Sequence, residues 1–422
     1  MPEFCMPYGK THLVARLPDP WQPTLVTPKR VVAAADPVGV VQRALDHPLE
    51  VKRLAAYRKI RTAAIAINDK TRPVSHNYLL PPLLEQLESA GLAPAAITLI
   101  IATGAHPPLP VDEYAAVVPP DVLARYPVLC HDANDRASMV NVGETTQGTP
   151  VWINRHFKQA DLRLVVGNVE PHQFMGFSGG VKSAAIGLAG LETINHNHAM
   201  MTDARSRLGT FEHNPARQDV EQMGQMVGVH FALNAILNDS KQIVAALAGD
   251  PIAVMRAAVP VVRDLYQVAV PEPFDVIIAS PGGYPKDINL YQSQKGLAHA
   301  ALITKTGGTI ILAAACPEGS GSQTYEQWLE GLNSYDDILE RFGQEGFRIG
   351  PHKAYQIARD ASRVRVLLVS QMPDDFVKRL LLTPVNNLDE GLARALEGLT
   401  PAARIGLLPY ANATIPYLDQ AY

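Results

Sequence analysis

The chain alternates between short apolar runs and longer stretches in which apolar residues recur every three or four positions. The apolar runs are TAAIAIND (62–69), AAITLIIATG (95–104), LRLVVGNV (162–169), FDVIIASPGG (274–283), GTIILAAAC (308–316) and VRVLLVS (364–370). Their centres are apolar at successive positions, so both faces of each strand must be covered, as in a parallel sheet between two layers of helices. The periodic stretches 77–91, 215–228, 252–270 and 325–344 predict amphipathic helices between those strands. Alternation of strand and helix predicts the α/β class with largely parallel sheets. The segment 231–250 departs from that rhythm and reads as two strands around an Asn-Asp-Ser turn, an antiparallel addition to the first sheet.

The rhythm restarts at PEPFD, which sets a boundary near residue 270. An N-terminal α/β domain is expected over 1–270 and a C-terminal α/β domain over 271–395. The last strand-like piece, ARIGLLPY (403–410), leaves 396–422 either closing the second domain or returning to the first. Polar residues gather just after the strands: Asp69 to Arg72, Gly104 to His106, Asn168 to His172, and SPGGYPKD (280–287). In open α/β sheets ligands bind beyond the carboxyl ends of the strands, so the active site is expected in a cleft between the domains.

Composition narrows the function. With 37 basic and 41 acidic residues, a net charge of -4 and no Lys/Arg run longer than two, the chain predicts neither nucleic acid nor an anionic membrane as partner. The three cysteines form no metal-ligand pair, which argues against a disulfide framework and a cysteine zinc site. The opening residues have no basic region followed by an apolar stretch, and no later run has the ~18 apolar residues of a membrane helix. A soluble, cytoplasmic protein is expected.

The stretch GNVEPHQFMGFSGGVKSAAIGLAG (167–190) looks like a nucleotide-phosphate loop. Such a loop needs G-x-x-x-x-G-K-[ST] directly after a strand, and GFSGGVKS (176–183) has Val181 in place of the last glycine. What survives is a turn, Ser178, Gly179 and Gly180, whose N–H groups are expected to hold some anion beside Lys182. Alternatively, the glycines only permit a tight turn and Lys182 is a solvated lysine. His106 and His172 each follow a buried strand, where an imidazole acts as acid or base or simply as a structural hydrogen-bonder. His196 and His198 diverge by roughly 200° on a helix, so at most one can reach a given metal. Arg72 suits bidentate binding of a carboxylate with Asp69 orienting it, or forms an ordinary ion pair. Tyr291, Gln292 and Lys295 in NLYQSQKG (289–296) lie on one helix face as donors to an anionic, hydroxylated ligand.

Taken together, DKTRP, GAH, EPHQFMGFSGGVKS, the NH ending at His198, and LYQSQKG resemble the nickel-pincer lactate racemase family in order and spacing from Asp69 to Lys295. The resemblance implies a 2-hydroxy acid racemase or C2-epimerase with two α/β domains. It implies that Lys182 tethers a nickel-pincer nucleotide, a pyridinium 3,5-dithio mononucleotide, through a thioamide, and that His198 is the protein's ligand to nickel in a square-planar site. It further implies that His106 and His172 are paired acid/base residues and that Arg72, Gln292 and Lys295, with Tyr291 beside them, orient the substrate carboxylate. The chemistry it implies would pass hydride to the cofactor as a histidine takes the hydroxyl proton, and return it to either face of a planar 2-keto acid. Proteins that synthesise the cofactor are the implied partners, and the cofactor phosphate is expected at Ser178, Gly179 and Gly180, with Asp69 also on the cofactor side. One departure concerns substrate. Where the family carries a tryptophan before a Gln-Ile pair, PHKAYQIA (351–358) has Lys353 with His352 adjacent, which predicts a larger, polar 2-hydroxy acid such as an aldonate or dicarboxylate. A phosphate-binding NTPase or transferase and a non-catalytic carrier of the cofactor are the competing readings.

Overall fold

The computed structural model describes residues 3–57, 59–72 and 75–419; Pro73, the end of the DKTRP motif, lies outside them. The chain divides into a central unit, Arg30–Leu265, and a composite unit built from Met1–Lys29 and Tyr266–Tyr422.

The central unit holds a six-stranded sheet in the order Ile243–Gly249, Phe231–Leu237, Leu162–Asn168, Ala63–Asn68, Ile97–Ala102, Val128–Cys130. Neighbours pair in parallel except at the Ile243–Gly249 edge, which is antiparallel to Phe231–Leu237 as the turn at 238–242 requires. From Ala63–Asn68 the chain builds outward through Ile97–Ala102 and Val128–Cys130, then returns to the other side at Leu162–Asn168. The order therefore reverses between Ala63–Asn68 and Leu162–Asn168, the point beyond whose carboxyl ends open α/β sheets bind their ligands. Ile65, Ile67, Leu99, Ile101, Leu164, Val166 and Leu233 are buried against Leu79, Leu80, Leu83 and Leu87 of the helix His76–Ser89. Each such side chain contributes about 1.5–3 kcal/mol on leaving water, so the strand ends are held by a firm core.

The composite unit repeats the plan with six parallel strands in the order Thr383–Val385, Arg365–Val369, Thr304–Ala313, Phe274–Ala279, Ile405–Leu408, Pro23–Leu25. Its order reverses between Phe274–Ala279 and Ile405–Leu408. The helix Leu290–Ala301 starts beside that point: a Cβ at Gly296 would lie 3.3 Å from the Pro281 Cα, so the helix packs closely on the loop after the strand.

These boundaries correct the expected 1–270 domain. The first 29 residues belong with the C-terminal part, because Pro23–Leu25 adds to the edge at Ile405–Leu408 and the hairpin Glu3–Tyr8/Thr11–Arg16 buries Met6, Tyr8, Ala15 and Leu17 against Val276, Ile278 and Ile311. The described part of 396–422, up to residue 419, does not return to the central unit: Ile405–Leu408 stays in the second sheet, and Ile415–Leu418 pairs with Gln267–Val270. The helix expected over 252–270 ends at Tyr266, and Gln267–Val270, with the β-branched Val268 and Val270, becomes that short strand. The helix expected over 325–344 is two, Gln323–Leu329 and Tyr335–Glu345, broken at Gly331 with φ of 80° and restarted by a capping box between Ser334 and Asp337. No helix among the described residues is long and apolar enough to cross a membrane.

Candidate active site

Two asparagines mark the crevice of the central unit. Asn68, last residue of its strand, donates through Nδ2 to Asn168 Oδ1 (3.3 Å) and accepts from Ser183 Oγ (3.0 Å), which ties the two strand ends to the helical turn Lys182–Ala185. The turn before that helix is self-satisfied. Ser178 N–H donates to Glu170 O (2.8 Å), Ser178 Oγ donates to Asn168 O (3.0 Å), and Gly180 N–H donates to Asn234 Oδ1 (2.7 Å). Beneath it lies Arg217, fully buried, which donates to the carbonyls of Phe177 and Gly179 (both 3.1 Å) and to Glu221 Oε1 from Nε (2.8 Å). Gly179 and Gly180 have φ of 86° and 58°, and a Cβ at Gly180 would meet Met255 Cγ at 2.6 Å. Of the three N–H groups expected to cradle a phosphate, those of Ser178 and Gly180 are already bonded within the protein, and the positive φ of Gly179 and Gly180 serves the turn. The phosphate-loop reading loses those two donors.

Lys182 emerges from this turn. Burial, followed by the Arg72 and Arg217 guanidiniums, holds its amine well below the ordinary lysine value, against the opposing pull of Glu170 and Asp69. His198, on the helix Leu191–Ala199, is lowered to about 3 by burial and then by Lys182 and Arg72. These mutual influences put Lys182, His198 and Arg72 in one neighbourhood. The Phe174 ring lies edge-on to both His198 and His172, with centroids 5.0 Å from each, and extends the cluster to His172. Asp69 extends it to His106.

The two acid/base candidates are held in opposite tautomers. Asp69 is buried, and its Oδ2 accepts from His106 Nδ1 at 2.8 Å while Oδ1 accepts from Thr71 Oγ1 at 2.7 Å. Burial raises the Asp69 carboxyl, but the bonds from His106 and Thr71 and the charges of His106 and Arg72 outweigh it and hold the group below the usual carboxylate value. A proton on Nδ1 leaves the lone pair of neutral His106 on Nε2. In the short hairpin Pro171–His172/Gly176–Phe177, His172 Nδ1 instead accepts from Met175 N–H (3.3 Å), so neutral His172 carries its proton on Nε2. Asp69 therefore orients His106, where the sequence had suggested that it orients Arg72.

In the composite unit, Asn289 caps the helix Leu290–Ala301 by accepting from Gln292 N–H, and Lys295 Nζ donates to Gln292 Oε1 at 2.8 Å. Tyr291 turns toward the helix Pro351–Ala361, its Oη 3.4 Å from His352 Nε2 and its ring 4.6 Å below Lys353 Nζ. Lys353 is buried and donates to Gln294 Oε1 (3.1 Å) and Gln356 Oε1 (3.0 Å). Gln292 and Lys295 thus form one group, and Tyr291 and Lys353 a second.

Comparison with known proteins settles the kinship. The model of the lactate racemase N-terminal domain matches residues 8–209, and that of the lactate racemase C-terminal domain matches 270–415. The chain belongs to the lactate racemase family. It is 30% identical to the lactate racemase of Thermoanaerobacterium thermosaccharolyticum over 415 residues, 96% of each chain, and 30% identical to that of Lactiplantibacillus plantarum over 377 residues, 87% of this chain and 88% of the relative. The solved lactate racemase apoprotein from T. thermosaccharolyticum superposes with a TM-score of 0.91 at 29% identity, covering 98% of this chain and all of the other. A Thermotoga maritima protein at 16% identity and a TM-score of 0.68 shares the fold, covering 92% of this chain and all of that one. The protein is accordingly an isomerase of the racemase type.

Within this family member, several residues of the site escaped the sequence reading. Phe174 is one of many aromatics, and Arg217, Glu221 and Asp219 lie on the buried side of the helix Pro215–Val227, where charged residues in an amphipathic pattern read as solvent-facing. Asn197 was within the NH pair, and its position directly before the candidate nickel histidine was the available signal.

Proposed function

We propose that this lactate racemase family member inverts C2 of a 2-hydroxy acid with a nickel-pincer nucleotide tethered at Lys182. The observation that carries the reading is the gathering, beyond one pair of strand ends, of a depressed amine, a neutral histidine and two further imidazoles held in opposite tautomers.

The residues fit the cofactor. A lysine must be neutral to form a bond through nitrogen, and the Lys182 amine is driven toward that form. His198 is kept uncharged, as a metal ligand must be. Among the described residues no group of three or more His, Cys, Asp or Glu could hold a metal, so a nickel ion at His198 would take its other donors from the cofactor. When bound, such a cofactor supplies a hydride acceptor, which avoids a carbanion next to a carboxylate.

The remaining steps belong to the protein. His106, its Nδ1 proton held by Asp69, presents the Nε2 lone pair to the hydroxyl proton of one enantiomer. His172, protonated at Nε2, returns a proton to the carbonyl oxygen from its own side, and the roles exchange for the other enantiomer. Arg72 in the central unit, and Gln292 with Lys295 in the composite unit, have the chemistry to bind a carboxylate and keep C2 in register, an orientation effect worth up to about 7–11 kcal/mol in the best cases.

Lys353 supports a substrate larger than lactate. A buried cation over the Tyr291 ring, backed by Gln294, Gln356 and His352, favours a ligand with further hydroxyls or a second carboxylate over one ending in methyl. An aldonate or dicarboxylate is the expected class. The holoenzyme, assayed by chiral chromatography against lactate, malate and gluconate, should turn over one of the larger acids at least tenfold more efficiently. Equal or better turnover of lactate would refute the substrate assignment.

A further inference from the structure

The buried carboxylate of Asp219 is a hub that the chemistry above does not use. Asp219 sits on the helix Pro215–Val227 and is 1% exposed. Its Oδ1 accepts from Thr145 Oγ1 (2.5 Å), and its Oδ2 accepts from Thr149 Oγ1 (2.8 Å) and Asn197 Nδ2 (2.8 Å). The second Asn197 Nδ2 proton goes to Ala216 O (2.9 Å). Both protons of that amide are spoken for, and flipping it would set its oxygen against two acceptors. Asn197 Oδ1 must therefore face His198, whose Nδ1 lies 3.2 Å away.

We infer that Asp219 acts through Asn197 as a positioning pair for His198: the oriented amide oxygen accepts the Nδ1 proton, fixes the ring and leaves the Nε2 lone pair as the nickel donor. The inference rests on His198 being the protein's metal ligand. Its physical content is the tautomer of one imidazole, a property of the protein without cofactor. In water a neutral imidazole samples both tautomers, and each molecule carrying its proton on Nε2 is unable to ligate through that atom. The same carboxylate treats His196 alike: Thr149 donates its hydroxyl proton to Asp219, so its oxygen accepts from His196 Nδ1 at 2.9 Å. His196 is exposed and makes an internal control, sharing the hub but reached by a different arm.

The test is nitrogen-15 NMR of the histidine rings in the apoprotein, with signals assigned through His196→Gln and His198→Gln. Wild type should show His198 protonated at Nδ1. Asn197→Leu, which removes the acceptor, should convert that signal to a mixture or to Nε2–H, while Asn197→Asp, which keeps an oxygen there, should preserve it. Thr149→Val should disturb His196 and leave His198 unchanged, so one variant informs even where another fails to fold. In protein loaded by co-expression with cofactor-synthesis proteins, Asn197→Leu should lose nickel to a chelator about 10–100-fold faster than wild type, as for other supporting residues of metal-bound histidines. A wild-type His198 protonated at Nε2, or a tautomer unmoved by Asn197→Leu, overturns the inference. Failure of the proposed function gives a different result: wild type would acquire no cofactor while the apoprotein tautomer remained as described.

Discussion

Beyond the ends of its middle strands, the central unit gathers Lys182 and His198, both pushed toward their neutral forms by burial, beside an imidazole paired with a buried carboxylate. The composite unit, with the same six-stranded plan and the same reversal of strand order, gathers amide oxygens around cations: Gln292 on Lys295, and Gln294 and Gln356 on Lys353. One scaffold thus carries two kinds of site. The first holds buried nitrogen bases in neutral form, and the second holds fixed positive charge among amide oxygens; in the proposed function the one serves bonding and proton transfer and the other recognition of an anion. The difference comes from which side chains follow the strands, since the sheets alone would serve either purpose.

The contrast breaks most visibly at the imidazoles. His106→Ala and His172→Ala should each lower kcat by about 10²–10⁴-fold with little change in KM, measured by racemisation of the preferred acid, because acid/base groups act on the barrier. Next comes the ion pair under the central crevice. Arg217→Leu leaves Glu221 buried without its partner and should cost about 3–5 kcal/mol in denaturant unfolding, with part of the loss recovered in Arg217→Leu/Glu221→Leu. Recovery failing in the double variant would show that the bonds to the Phe177 and Gly179 carbonyls matter more than the pair.

Each unit also hides an acid-sensitive histidine bonded to a backbone carbonyl, His76 in the central unit and His299 in the composite one, and these two should behave alike. His76 donates from Nδ1 to Val117 O (2.8 Å) and His299 to Ala411 O (2.6 Å), while each Nε2 is buried without a partner. Burial lowers both to about 4, against the smaller opposing effect of those carbonyls. Unfolded histidine titrates near ~6.5, so the folded state is favoured above that value and loses about 3 kcal/mol per group as pH falls toward 4. His76→Gln and His299→Gln should each flatten the fall in stability between pH 6.5 and 4, followed by thermal unfolding. The smallest effect is expected in the anion-holding group: Lys295→Ala should raise KM about 10–100-fold, the loss of one charge-assisted bond of about 1.5–3 kcal/mol, with kcat affected less.

Much of this was legible in the chain. Continuous apolar runs located six strands of the two large sheets to within a few residues because burial on two faces leaves no room for polar alternation. The hairpin at 3–16 was missed although Tyr8-Gly9-Lys10-Thr11 is a tight-turn signature, since its partner core lies more than 250 residues away and local pattern carries no such information. Motif resemblance pointed to Lys182, His198, His106 and His172, yet was blind to the bonding of the glycine turn: a sequence shows which N–H groups exist and not which of them Glu170 O and Asn234 have already taken. Asp219 was invisible for the same reason, as its donors come from the turn at 145–149 and from Asn197 on another helix, both distant in sequence.

The proposal that Lys182 carries the cofactor can be tested by intact-mass measurement after co-expression with cofactor-synthesis proteins. Wild type should gain a covalent mass increment containing nickel, while Lys182→Ala, still folded by circular dichroism, should have none. An unmodified wild-type chain under conditions that load an authentic lactate racemase, or an equal adduct on Lys182→Ala, would contradict it.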